Sequence, residues 1–157
     1  MRSNLAVRER SVTLSEAKGP KPALSCSIRR DPSDPVRRLL LLCSGGRAVT
    51  LGHRIFLPDD CADDPAVIAH ELHHVRQYEE WGALRYYARG VSEQVQYLLS
   101  RAGLAASPYD WRRAGIKPFE EYGMEQQGQL VEDAARGDGL AREVVSRPVQ
   151  LPPIRTT

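Results

Sequence analysis

The sequence has little of what would staple a small fold together or carry it through a bilayer. Its three cysteines, Cys26, Cys43 and Cys61, are odd in number and far apart, so neither a disulfide framework nor a C-x-x-C zinc site is indicated. Free thiols in a reducing compartment are the expectation. No apolar run approaches the roughly 18 residues of a membrane span. The run Leu39 to Leu42, behind Arg37 and Arg38, is also too short for a signal-peptide core of about 7–15 residues and sits too far into the chain. A cytoplasmic protein without a membrane partner is expected, with export by a dedicated system left open. Aromatics make up only 6% of residues and lack the paired strand positions on which bases stack, which argues against nucleic acid as a partner. A G-x-S-x-G elbow is also lacking.

What remains is the composition of an ordinary globular domain: 41% hydrophobic and 27% charged over 157 residues, enough for one modest core. The net charge of +2 is uneven, with nine Lys/Arg against four Asp/Glu in residues 1–38. Lys18-Gly19-Pro20-Lys21-Pro22, Asp31-Pro32 and Asp34-Pro35 deny ladder donors and keep their neighbours extended. Residues 1–35 therefore read as a flexible basic leader, 36–145 as the folded domain and 146–157 as a loose tail.

Within the domain, Val36 to Leu42 and Ala48 to Leu57 read as strands separated by the turn Ser44-Gly45-Gly46-Arg47. Asp64 and Pro65 then signal a helix start, and a helix is expected from about Pro65 to Glu80. A second should span Ala83 to Arg101, where Leu84, Tyr87, Val91, Val95, Leu98 and Leu99 recur at helical spacing, with a break near Gly90-Val91. A third should run from about Phe119 or Gly123 to Arg136. The fold class is α+β: a small hairpin or sheet packed on one central helix and two others.

The chemistry is concentrated in Ala69-His70-Glu71-Leu72-His73-His74-Val75. Residues four apart share a helix face, so His70 and His74 can offer imidazole nitrogens to one zinc ion. Glu71, turned by one residue, can act as general base toward water activated by the ion. From this chain's own counts of four His and eleven Glu, random order yields H-E-x-x-H about once in 150 such sequences. His73 lies outside that frame and reads as a flanking residue; His53 is the remaining histidine. A catalytic zinc takes three protein ligands, and the third has to come from a distant segment. On spacing, Glu125 and Glu120 both qualify, and Gly128, one turn beyond Glu125, allows a close approach of helices. Tyr122, Tyr109, Tyr86, Tyr87 and His53 are the candidate donors to an oxyanion.

Thr50-Leu51-Gly52-x-x-Ile55, then H-E-x-x-H with Val75, Gln77-Tyr78 and Gly82, then Phe119-x-x-Tyr122-x-x-Glu125-Gln126-Gln127 resembles short bacterial gluzincin-type zinc peptidase domains, several of which accompany toxin or contractile injection systems. The resemblance covers roughly residues 48–136. It implies a zincin-like arrangement and selects Glu125 as third ligand over Glu120. It also places Asp133 where an acid could orient a ligand histidine. The activity it implies is zinc-dependent hydrolysis of a peptide or protein substrate, which an extended chain would reach by pairing with the edge of the strand Ala48 to Leu57. The rival expectation is a zinc-binding scaffold or adaptor without turnover.

Overall fold

The computed structural model describes residues 26–146. Among them are three strands and five α-helices, in the order β1 (Ser27–Arg29), α1 (Pro35–Cys43), β2 (Val49–Leu51), β3 (Arg54–Phe56), α2 (Pro65–Trp81), α3 (Ala83–Arg101), α4 (Met124–Ala135) and α5 (Gly139–Ser146). The fold is α+β, as the pattern of elements implied. The sheet order is β1-β3-β2, with β1 parallel and β2 antiparallel to the central β3. Gly52 takes φ +59° at the first position of the two-residue turn between β2 and β3, a conformation that glycine adopts without strain.

Several boundaries differ from expectation. Val36 to Leu42 is helix, not strand: Asp34 accepts hydrogen bonds from the Val36 and Arg37 amides, and Pro35 occupies the first turn. An unbroken leucine run carries no period, so the cap decides the element. Ala48 to Leu57 is a hairpin, not one strand. The leader is not wholly outside the fold either, since Ser27–Arg29 adds an edge strand beside β3; residues 1–25 lie outside the described residues. Helix α3 continues unbroken through Gly90 and Val91. Helix α5, which answers to no expectation from the sequence, buries Ala141 and Val144, and its last residue, Ser146, reaches into the region given to the tail; residues 147–157 lie outside the described residues.

Two apolar clusters flank the centre. Ile55, Leu57 and Val75 join the sheet to α2, while Trp111, Tyr122, Leu130, Ala141 and Val144 join α4 to α5 and the loop before them. Each large side chain fully buried there contributes roughly 1.5–3 kcal/mol. Arg37, itself buried, ties α1 to the end of β3 by donating to the Leu57 carbonyl at 2.8 Å. The stripe that marked α3 in the sequence faces outward: Leu84, Val91, Val95 and Leu98 are all exposed. Helical period located this helix without locating its buried side. No helix among the described residues is long and apolar enough to cross a membrane.

Candidate metal centre

Helix α2 begins at Asp64, whose carboxylate accepts from the Ala66 amide at 2.9 Å, and places His70 and His74 one turn apart on its buried side. Their Nε2 atoms are 3.0 Å apart. Each ring is held from behind. The Glu132 carboxylate stands 3.1 Å from His70 Nδ1, and the Gln77 side-chain oxygen stands 2.7 Å from His74 Nδ1. Gln77 donates its amide hydrogens to the Met124 carbonyl at 3.3 Å and to Gln127 Oε1 at 3.0 Å, which leaves its oxygen facing His74. Both rings thus donate from Nδ1, which leaves Nε2 as the atom that can turn a lone pair inward when it carries no proton.

Helix α4 supplies the third atom. Glu125 Oε2 lies 3.4 Å from each Nε2. A tetrahedral ion with bonds of about 2.0–2.1 Å holds its ligand atoms roughly 3.3 Å apart, so separations of 3.0, 3.4 and 3.4 Å fit one divalent cation. His70, His74 and Glu125 form the group that can hold a metal ion among the described residues. Three inward-facing acceptors repel one another unless a cation sits between them. Without a metal, that cation is a proton. Burial acts to lower the His70 pKa, but hydrogen bonds to Glu125 and Glu132 outweigh it and raise the value to about 10. Burial also acts to lower the His74 pKa, but the charge and hydrogen bond of Glu125 move it up, and the two histidines hold Glu125 well below the usual carboxylate range against its burial.

Two features bring Glu125 into reach. Glu93, on α3, accepts from the Met124 and Glu125 amides at 2.6 and 2.7 Å, fixing the first turn of α4 where a carboxylate also meets the positive helix end. Gly128 then allows the helices to close, for a Cβ at that position would stand 2.6 Å from His70 Nε2. In Glu125-Gln126-Gln127 each residue has a task. Glu125 faces the histidines. Gln126 accepts from the Gly123 amide at 3.1 Å. Gln127 joins Gln77, His73 and the Tyr122 carbonyl.

Beside the ligands lies a cleft of about 420 Å³, lined by residues that include Arg47, Val49, Thr50, Glu71, Tyr86, Val91 and Tyr109. Glu71 is buried, and Thr50 Oγ1 donates to its Oε2 at 2.7 Å. The Thr50 carbonyl in turn accepts from Tyr86 Oη at 3.0 Å. Tyr109 faces His70 with ring centroids 6.4 Å apart.

The other sequence candidates stand elsewhere. Glu120 is exposed on a short 3-10 turn, away from both histidines. Tyr122 Oη donates to the Gly115 carbonyl at 2.8 Å, which commits it to the second core. Asp133 accepts from Trp111 Nε1, Gln129 and Arg112, so the task of orienting a ligand histidine falls to Glu132 instead. Seven residues beyond Glu125, Glu132 lies two turns along the same face; that spacing was the available signal. His73 packs on Phe119 and reaches Gln127 Oε1 at 3.2 Å, with burial pushing its pKa down to about 4. It is a neutral flanking residue. Gln77 and Glu93 were not singled out for these roles; Gln77, three residues from His74, had a readable spacing, whereas Glu93 had none.

Fold and site together define a small α+β protein in which a His-His-Glu group that could hold a metal ion lies beside a cleft. Residues 35–82 match the family model of the eCIS (extracellular contractile injection system) core domain. The match spans less than a third of the chain, ends with α2 and leaves Glu125 outside; no peptidase family model matches. No curated protein and no solved structure matches the chain.

Proposed function

We propose that the protein is a zinc-dependent peptidase of the gluzincin kind. The observation that carries this reading is the convergence of two imidazole lone pairs and one carboxylate at tetrahedral spacing, with Glu71 in the adjoining cleft. A donor set of two nitrogens and one oxygen suits zinc with an open fourth position, where the ion would polarise a carbonyl and lower the pKa of water toward about 7. Glu71, held by Thr50, takes the proton of the attacking water and returns it to the leaving amine. Tyr109, beside His70, is the phenol placed to donate to the developing oxyanion; burial first, and then the Glu125 charge, raise its pKa, so it keeps its proton at neutral pH. Among the described residues β2 is an edge of the sheet, and an extended substrate would pair with its backbone beside the Thr50 carbonyl that Tyr86 already engages.

Replacing Glu71 with Gln is expected to cut peptide turnover about 10²–10⁴-fold while zinc content, measured by elemental analysis, stays near one per chain. Loss of zinc in that variant would remove the division of roles between Glu71 and the ligands. The family match favours a second reading, a zinc-fastened module of an injection apparatus without turnover. Incubating the zinc-loaded protein with unfolded casein separates the two.

A further inference from the structure

Arg47 is the one lysine or arginine among the described residues that line the cleft. Its guanidinium lies 3.8 Å from the Tyr109 ring centroid and 5.8 Å from that of Tyr97. No carboxylate among the described residues pairs with it. The exposed charge on the lining, Asp60, belongs to the 3-10 turn after β3 and makes no ion pair with the half-buried Arg47. The backbone of Arg47 is fixed as well, since Ser44 Oγ donates to its carbonyl at 2.7 Å. A guanidinium seated over an aromatic face can still present N–H groups outward, and their fork matches a carboxylate in bidentate geometry. Around it the cleft is mostly apolar, with Leu40, Ala48, Val49, Val91 and Met124 on its walls.

We propose that Arg47 is a specificity-determining residue that selects peptides carrying a carboxylate about two to three residues from the scissile bond. The inference rests on the peptidase reading and gives its substrate class. Two measures of distance agree. From the stacking on Tyr109, and from Tyr109 to His70, the cation lies within about 10 Å of the His70 ring. Along the chain, Arg47 precedes Thr50, which holds Glu71, by three residues, with β2 beginning only at Val49, a span of at most roughly 10 Å. A peptide lying along β2 therefore places its reacting carbonyl near Glu71 and a side chain two or three residues away beside Arg47. Charge balance points the same way. Two neutral imidazoles, one carboxylate, a divalent ion and Glu71 sum to zero, so Arg47 and the exposed Asp60 are the charges left on the lining, and of these Arg47 is the one that can take a carboxylate.

The test uses the full chain loaded with zinc and ten-residue peptides bearing Glu, Gln or Lys at each position, with free or amidated C termini. Wild type should favour Glu over Gln at one position by about tenfold in kcat/KM. Arg47→Gln should erase that preference and Arg47→Glu should turn it toward Lys, both with wild-type zinc content and helical circular dichroism. A preference confined to free C termini assigns the carboxylate to the chain end; one kept in amidated peptides assigns it to a side chain. Equal cleavage of the three series, or an unchanged preference in Arg47→Glu, overturns the inference. If no peptide is cleaved, the peptidase reading fails by itself. The zinc-loaded Glu71→Gln protein then reports binding of the same peptides by fluorescence anisotropy, and equal or absent binding of the Glu and Gln series overturns the role of Arg47 independently.

Discussion

Helices α2 and α4 face each other across the ligand cluster and deliver their ligands by opposite means. On α2, the spacing of His70 and His74 is a property of any helix, and Asp64 and Pro65 start that helix locally. Little beyond residues 64–81 is needed to set two nitrogens one turn apart. On α4, Glu125 arrives because α3 caps the helix through Glu93, because Gly128 lacks a side chain, and because Gln127 ties the first turn to Gln77. The first half of the site is local in sequence and lies inside the matched family segment; the second is assembled by tertiary contacts and lies outside it. A metal centre can therefore be half written in a motif of five residues and half in packing.

Gly128→Ala gives the sharpest break between the two helices. Alanine favours an isolated helix by up to about 1 kcal/mol, so α4 taken alone should gain helical tendency. In the protein the added methyl meets the His70 ring, and α4 has to withdraw from α2. We expect metal affinity to fall by roughly 100-fold or more, measured by competition with a chromophoric chelator. Unchanged affinity would mean that the close approach is dispensable.

A smaller effect is expected where each helix steadies a ring. Glu132→Gln acts on His70 from α4, and Gln77→Leu acts on His74 from α2 itself. Each should weaken metal binding by about 10–100-fold and leave the ligand set intact, as metal-edge spectroscopy of the loaded protein would show. If only the α4 change had an effect, α2 would orient its own ring without help.

The smallest effect per step is that of pH. In the metal-free protein the raised His70 pKa, about 10, means that a proton is held at neutral pH and has to leave when metal enters. Affinity should rise with pH by about tenfold per unit below that value, as isothermal titration in buffers of different ionisation heat would record. The stability of the metal-free protein runs in the opposite sense. A folded pKa above the ordinary 6.5 contributes stability that is complete below about pH 6.5 and is lost as pH climbs through about 10.

What the sequence disclosed follows the same divide. His70, Glu71 and His74 were legible because helix geometry converts spacing into direction, and Glu125 emerged from spacing joined to a family resemblance. Gly128 was legible as a point of close approach. Glu132 was displaced in expectation by Asp133, because the resemblance pointed to that later acid and the position of Trp111, which takes Asp133, depends on a loop. The leucine run of α1 carried no period to separate strand from helix, and Ser27–Arg29 is too short and too exposed to announce a strand. The outward stripe of α3 shows that apolar period identifies an element more surely than the side it buries.

The seam between α2 and α4 is threaded with His70, His73, His74, Gln77, Gln127 and Glu132, where most helix pairs would place leucine or valine. Oily surfaces can slide past one another at small cost, whereas a row of matched donors and acceptors permits a single register. The two helices are keyed like lock and bolt, so loosening by acid or chelator should be abrupt, with no half-shifted position in which the polar row is still satisfied.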